Sequence, residues 1–268
     1  MINYLFSVYL KFLRKNWLWG ILPPLLVALL VPLIGSVWLE LEKELVMFAD
    51  VLNSPVYKAI LGSLSEFDIG TWTGFYYLEI FTWLDMVILF AAILVPSRLI
   101  STEVDKKTLD FILSYPIARW QYILEKFSVF LTYNFLYPIF IFVLTYQSVA
   151  SLNVEMDLLL LFYSLIGVWM LLFALGALSL LCGVIFFEPN RAIAAAGLLI
   201  FGQFILVRVS GITESLYTLK KYSLFNYLHA STIVNLQKIP IDEFLIVAAV
   251  GIIALISALI IFQKREIS

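Results

Sequence analysis

The chain has 268 residues, of which 63% are hydrophobic and 13% are charged, and its mean hydropathy is +1.00. Because a soluble domain carries roughly 45–50% apolar and about 25% charged residues, this composition predicts an integral membrane protein. The net charge of −2 argues against a nucleic-acid partner. A single cysteine, Cys182, and a single histidine, His229, exclude a disulfide framework, a Cys-rich metal site and paired-histidine zinc motifs. The sequence also lacks a Gly-x-x-x-x-Gly-Lys-Ser/Thr motif, so it does not bind nucleotide through a P-loop of its own.

A membrane-crossing helix needs about 20 mostly apolar residues, and the sequence contains six such stretches. They are residues 17–38, 76–96, 127–147, 158–186, 192–210 and 244–262. The first stretch contains three prolines, which predict a kinked helix. We therefore expect an all-α integral membrane protein whose six-span domain covers residues 17–262.

Residues 1–16 form a separate amphipathic element before the first span. Ile2, Leu5 and Tyr9 share one helical face, while Lys11 and Arg14 lie on another. This pattern predicts a helix that lies in the membrane interface, often called an elbow helix, with its apolar side toward the lipid. A cytosolic extension of the first span is the alternative.

Lysine and arginine counts in the loops indicate the orientation of the chain in the membrane. Eleven of these residues lie on the side of the two termini and five lie on the opposite side. We therefore expect a multi-pass protein of the plasma membrane with both termini in the cytoplasm. Loop 97–126 and the tail 263–268 are then cytosolic, whereas loops 39–75 and 211–243 are outside.

The cytosolic loop between the second and third spans is the most charged segment of the chain. Apolar residues at 109, 112 and 113 predict a short helix with one apolar face, and Pro116 ends it. A short helix held across the cytosolic ends of two spans is suited to docking a soluble partner and to passing a rigid-body movement into the membrane.

The order of residues in this loop resembles the coupling segment of type-2 ABC exporter permeases. The matching positions are Glu103, Thr108-Leu109-Asp110, Leu113-Ser114, Pro116-Ile117, Arg119 and Lys126, and Lys107 stands where the family prefers glycine. The extreme C-terminus, from Phe262 through Arg265 to Ile267, is also similar to the end of these permeases, with Glu266 in place of their aspartate.

The resemblance implies a transport subunit that is not itself an enzyme and carries no cofactor. Two permease subunits, expected to form a homodimer, span the lipid bilayer, and two copies of a cytosolic ATP-binding subunit supply ATP and Mg²⁺. It assigns coupling to the ATP-binding subunit to Glu103, Lys106, Thr108, Leu109, Asp110, Pro116 and Arg119. An ordinary basic cytoplasmic loop is the alternative interpretation of this segment.

Three charged residues lie within the predicted spans, where charges are costly and often functional. Glu79 and Arg208 are expected at the same depth near the outer surface, which predicts an ion pair. Asp85 is expected near the midplane without a charged partner. It either lines the transport path or bonds to a polar residue of a neighbouring helix, such as Asn134.

The fourth span contains the pair Ser179-x-x-x-Gly183, a spacing of small residues that permits close helix packing.

The composition, the six spans and the resemblance of the loop together predict the permease subunit of an ATP-driven exporter. The alternatives are a permease of a specialised system (sodium extrusion, peptide-antibiotic immunity or metalloenzyme maturation), a polytopic membrane enzyme, and a channel or secondary transporter. The substrate is not indicated by the sequence.

Overall fold

The computed structural model describes residues 7–41, 71–109, 117–210, 218–228, 233–234 and 239–265. Within these ranges the chain is helical and contains no β-strand. Its α-helices are α1 Ser7–Lys15, α2 Trp17–Ala28, α3 Leu30–Leu41, α4 Trp72–Leu94, α5 Arg98–Asp105, α6 Arg119–Asn134, α7 Leu136–Leu152, α8 Leu158–Phe186, α9 Pro189–Ser210 and α10 Ile241–Lys264. Two 3₁₀ turns, Lys220–Tyr222 and Leu224–Asn226, lie between α9 and α10.

Six helical stretches in the described ranges are long and apolar enough to cross a membrane, which confirms the predicted number. They are Trp17–Glu40, Trp72–Asp105, Arg119–Leu152, Leu158–Phe186, Pro189–Val209 and Ile241–Lys264. The second and third stretches are longer than the sequence predicts because the helices continue as amphipathic turns beyond their apolar segments. The predicted loop 97–126 is therefore helical at both of its ends, in α5 and at the start of α6.

Prolines lie at or just after interruptions in three of the six stretches. The second stretch breaks at residues 95–97, which include Pro96. The first stretch breaks at Leu29, three residues before Pro32, and the third breaks at Phe135, three residues before Pro138. Proline has no N–H to bond to the carbonyl four residues earlier, so the helix is interrupted at this point. The other two prolines of the first stretch lie inside α2 and do not end it.

Helix α8 lies at the centre of the structure and packs against α10, α9, α7, α5 and α4. Small residues on α8 allow the closest of these approaches, as the Ser179–Gly183 spacing indicates. A Cβ atom at Gly183 would lie 2.5 Å from the carbonyl oxygen of Ser97, next to α5. On α10, a Cβ at Gly251 would lie 2.5 Å from the ring of Phe173.

Helix α1 packs along α6. The backbone N–H of Tyr9 donates to Oε2 of Glu125 at 3.0 Å, and the Tyr133 hydroxyl donates to the carbonyl of Leu13. The three basic residues of α1 are exposed, as its amphipathic pattern predicts. The position of α1 in the membrane interface stays a prediction.

We expect Gly183→Ala to destabilise the protein by about 1–3 kcal/mol, because overpacking forces backbone shifts where no flexible side chain can yield. Gly202→Ala is the matched control, since nothing lies within 4 Å of a Cβ at that position. The control should be neutral or stabilising by up to about 1 kcal/mol through helix propensity. Thermal unfolding of the purified proteins in detergent measures both, and equal midpoints would contradict the close contact with Ser97.

Candidate functional site

A buried ion pair joins the end of the second span to the start of the third. Oε1 of Glu103, on α5, lies 2.6 Å from Nζ of Lys126, on α6, and these side chains are 16% and 4% exposed. The Tyr122 hydroxyl donates to the other carboxylate oxygen of Glu103, and Lys126 also donates to the carbonyl of Leu99. Glu103 is therefore held inside the protein rather than presented to a partner.

Aromatic rings complete the surroundings of the Lys126 ammonium group. Its Nζ lies 4.7 Å from the centre of the Phe12 ring on α1 and 5.1 Å from that of Tyr122. A cation over an aromatic face is attracted by the ring quadrupole, the more so when it is desolvated. Lys126 thus connects three segments, α1, α5 and α6, and we name Glu103, Tyr122, Lys126 and Phe12 the anchor.

Helix α5 ends in a turn that satisfies its last carbonyl groups. Lys107 has a φ of 53°, in the left-handed region, and its N–H donates to the carbonyl of Val104 at 2.9 Å. The N–H of Thr108 donates to the carbonyl of Glu103 at 3.0 Å, which completes a Schellman motif. Glycine adopts this conformation without a Cβ penalty. This explains why the permeases that the segment resembles prefer glycine at the position of Lys107.

The turn presents a short exposed surface directly above the anchor. Asp105, Lys106, Lys107 and Thr108 are all exposed, whereas Leu109 is 1% exposed and belongs to the hydrophobic core. We name residues 105–108 the coupling turn. The predicted coupling residues Asp110 and Pro116 lie outside the described residues.

The predicted coupling residue Arg119 lies at the first position of α6 and contacts the C-terminal segment. Its Nη1 donates to the carbonyl of Arg265 at 3.0 Å. Arg265 in turn donates to the carbonyls of Val184 and Ile185 at the end of α8, and its guanidinium lies 4.3 Å from the Phe187 ring. A cation at a helix C-terminus satisfies carbonyls that have no partner within the helix and interacts favourably with the helix dipole.

The structure therefore separates the predicted coupling residues that it describes into two groups. Glu103, Lys106, Thr108 and Leu109 lie around the end of α5, and Arg119 belongs to the cap at the end of α8. Sequence reasoning missed the roles of Tyr122 and Arg265. The spacing of Tyr122 four residues before Lys126 was the available signal, because residues at i and i+4 share one helix face.

Within the membrane-crossing helices, Arg208 pairs with Asp85 and not with Glu79. Nη2 of Arg208 lies 2.9 Å from Oδ2 of Asp85, and its guanidinium lies 5.0 Å from the Phe204 ring. The predicted Glu79–Arg208 pair is thus wrong, as is the expectation that Asp85 has no charged partner. Asn134 makes a different bond, because its amide donates to the carbonyl of Phe130, and the bond of Asp85 comes from Arg208.

The register and lean of the helices explain this choice of partner. A Cβ at Gly197 on α9 would lie 3.9 Å from Cγ2 of Ile93 on α4, so these two residues lie at the same level. Because α9 and α4 run antiparallel, counting along both helices from this pair places Arg208 halfway between Glu79 and Asp85. Helical side chains lean toward the N-terminus of their own helix. Arg208 therefore leans toward Asp85, Asp85 leans toward Arg208, and Glu79 leans away.

Comparison with protein families identifies the class of this chain. The family model described as "ABC-2 family transporter protein" matches residues 9–267. The chain belongs to this family and is the membrane-spanning permease of an ABC transporter, as the resemblance of its coupling segment implies. The comparisons with curated proteins and with solved structures gave no match.

We expect Glu103→Gln to lower the stability of the protein by about 3–5 kcal/mol, because it leaves the Lys126 charge buried without a partner. Lys126→Met should have a similar effect, and the double variant should lose less than the sum of the two single losses. Glu188→Gln is the control: the Glu188–Arg191 pair has the same kind of contact, at 2.7 Å, but is exposed. An exposed pair contributes about 0–1 kcal/mol. Chemical denaturation in detergent measures these losses, and additive single losses would contradict the anchor.

Lys107→Gly should stabilise the protein by up to about 1–2 kcal/mol, the cost of a left-handed conformation for a residue with a Cβ. Lys106→Gly is the control, because Lys106 has a φ of −79° and gains nothing from glycine. The midpoint of thermal unfolding should rise for the first variant only. A lower midpoint for Lys107→Gly than for Lys106→Gly would contradict the turn geometry.

The Asp85–Arg208 contact predicts a coupling energy in the range of about 0.5–3 kcal/mol in a double-mutant cycle. Asp85→Asn, Arg208→Gln and the double variant are compared by denaturation in detergent. A second cycle with Glu79→Gln in place of Asp85→Asn should be additive. Coupling of Arg208 to Glu79 but not to Asp85 would contradict the structure and support the pair that the sequence predicts.

Proposed function

We propose that this permease is the membrane subunit of an ATP-driven exporter and that a separate cytosolic ATP-binding subunit docks on the coupling turn. Residues 105–108 are exposed, and they carry Asp105, Lys106 and Lys107 for polar contacts with that subunit. ATP and Mg²⁺ are bound by the partner, so this chain contributes no catalytic residue. Membership in the ABC-2 family supports this division of labour.

The observation that best supports the proposal is that the buried anchor lies next to the exposed coupling turn. Because Glu103 is bonded to both Lys126 and Tyr122, a displacement of the turn moves α5 and α6 together. Phe12 on the same ammonium group brings α1 into this unit. Such a contiguous network of packed and hydrogen-bonded side chains can pass a rigid-body movement from the partner to the spans.

A second link runs from Arg119 to the end of α8. Its bond to the carbonyl of Arg265 connects the start of α6 to the cap on α8 and to the end of α10. The partner would therefore act on four of the six spans through residues 119–126 and their contacts. This arrangement supports a mechanical role for the whole loop and not for the exposed turn alone.

The proposed complex contains two copies of the permease, as a homodimer, and two ATP-binding subunits in the plasma membrane. We propose that both termini and the coupling turn lie in the cytoplasm. This orientation is supported by contacts at the start of α6, where Tyr9 bonds to Glu125 and Arg119 bonds to Arg265. Helix α1, the coupling turn and the end of α10 consequently lie at the same end of the helices, and the lysine and arginine count assigns that end to the cytoplasm.

The experiment uses the permease and its ATP-binding subunit co-reconstituted in lipid nanodiscs. The variant Lys106→Glu/Lys107→Glu reverses the charge of the turn without touching the anchor, since both side chains are exposed. Like charges juxtaposed at an interface cost several kcal/mol, so we expect at least about tenfold weaker association and a matching loss of ATP hydrolysis by the complex. Lys264→Glu is the control, because it is an exposed lysine at the same end of the helices.

Thermal unfolding of each permease variant alone separates a docking defect from a folding defect. The double variant should unfold at the temperature of the unaltered protein. Unchanged association and ATP hydrolysis in this variant would overturn docking on the coupling turn. Labelling of a cysteine at position 106 from outside intact cells would overturn the orientation.

A further inference from the structure

A groove of about 580 Å³ lies between α1–α2, α4 and α6, apart from the coupling turn and the Asp85–Arg208 pair. Its volume falls within the range of about 300–1,000 Å³ that is typical of small-molecule sites. The lining includes Phe12, Trp19, Ala91, Lys126, Asn134 and Tyr137. Neither the family assignment nor the proposed docking surface accounts for this groove.

The shape and chemistry of the groove suit a long apolar chain. From Lys126 to Tyr137 it follows eleven residues of the third span, or about 16 Å at about 1.5 Å per residue. Its rim contains large exposed apolar side chains, with Trp19 at 81% and Phe90 at 60% exposed. An alkyl chain along this wall would cover apolar surface from Trp19 on α2 to Phe90 on α4.

One end of the groove lies beside a cluster of exposed positive charges. Lys11, Arg14 and Lys15 on α1 are all exposed, and the groove begins at the neighbouring Phe12. Two acidic side chains near this end already have partners among the described residues. Glu103 pairs with Lys126, and the carboxylate of Glu125 accepts bonds from the Tyr9 N–H and the Gln121 amide.

We propose that this groove binds one anionic phospholipid. One acyl chain lies between α2, α4 and α6, and the phosphate headgroup lies against the basic residues of α1. Basic residues near a membrane surface attract anionic lipids electrostatically. The binding belongs to this chain alone and does not depend on the proposed docking of an ATP-binding subunit.

The test measures lipid binding to the purified permease by native mass spectrometry after removal of lipid in detergent. Phosphatidylglycerol and phosphatidylcholine with identical acyl chains are titrated separately. The unaltered protein should bind one phosphatidylglycerol at least tenfold more tightly than phosphatidylcholine. The variant Lys11→Gln/Arg14→Gln/Lys15→Gln should lose this preference and retain its binding of phosphatidylcholine.

Ala91→Phe fills the groove and should weaken the binding of both lipids at least tenfold. Ala249→Phe is the matched control, since Ala249 is an exposed alanine on α10 outside the groove. Thermal unfolding checks that both variants fold. If Ala91→Phe does not fold, Ala91→Met replaces it as the groove-filling variant. Unchanged lipid binding in the groove-filling variant, or equal affinity of the unaltered protein for the two lipids, would overturn the proposal.

One further variant distinguishes an acyl chain from a polar occupant such as a transported molecule. Asn134 is 8% exposed and lines the groove, and its only hydrogen bond among the described residues is donated to the carbonyl of Phe130. Asn134→Leu should leave phosphatidylglycerol binding within about twofold, because an acyl chain needs no polar contact there. A tenfold loss would show that the site recognises a polar group and would overturn the acyl-chain assignment.

Discussion

The buried pair of Glu103 and Lys126 is the interaction on which the arrangement of the coupling end depends. Taking two charges out of water costs several kcal/mol per ion, and their mutual attraction offsets this cost only when further hydrogen bonds are made. Here Tyr122 donates to the carboxylate, and the ammonium group donates to the Leu99 carbonyl. Each of these bonds constrains the rotation of one helix relative to another. We interpret the anchor as a device that fixes the relative orientation of α1, α5 and α6, more than as a source of net stability.

Helix ends account for three residues of the two sequence patterns that indicated the family, Thr108, Arg119 and Arg265. The turn at Lys107 and Thr108 satisfies the last carbonyls of α5, and Arg265 satisfies the last carbonyls of α8. A backbone group without a partner is expensive near lipid, where no water can replace the missing bond. Residues that close helix ends are therefore under strong physical constraint, and Arg119 adds to this constraint by bonding to the backbone of Arg265.

The sequence predicts the six membrane-crossing helices well because lipid requires each one to be a long apolar helix. It predicts a kink in the first span for an equally local reason, the missing N–H of proline, but it does not distinguish Pro32 from the two prolines that lie inside α2. It fails for Arg208, since depth along the chain says nothing about the register of two helices or the lean of their side chains. The role of Arg265 was also missed, because a cap on α8 depends on a contact between segments about 80 residues apart. The groove depends on how α1, α2, α4 and α6 pack together and has no local signal in the sequence.

The groove and the anchor share a wall, and this has a consequence for how the membrane acts on the permease. Lys126 and Leu99 line the groove, and the same two residues join α5 to α6 through the ammonium–carbonyl bond. Phe12, which covers the ammonium group, lines the groove as well. An occupant of the groove thus contacts the side chains that hold the coupling turn in place. Since α1 closes one side of the groove, an occupant that holds α1 against α6 also keeps the Phe12 ring over Lys126. Lipid on one side and the ATP-binding subunit on the other would then act on a single buried ion pair.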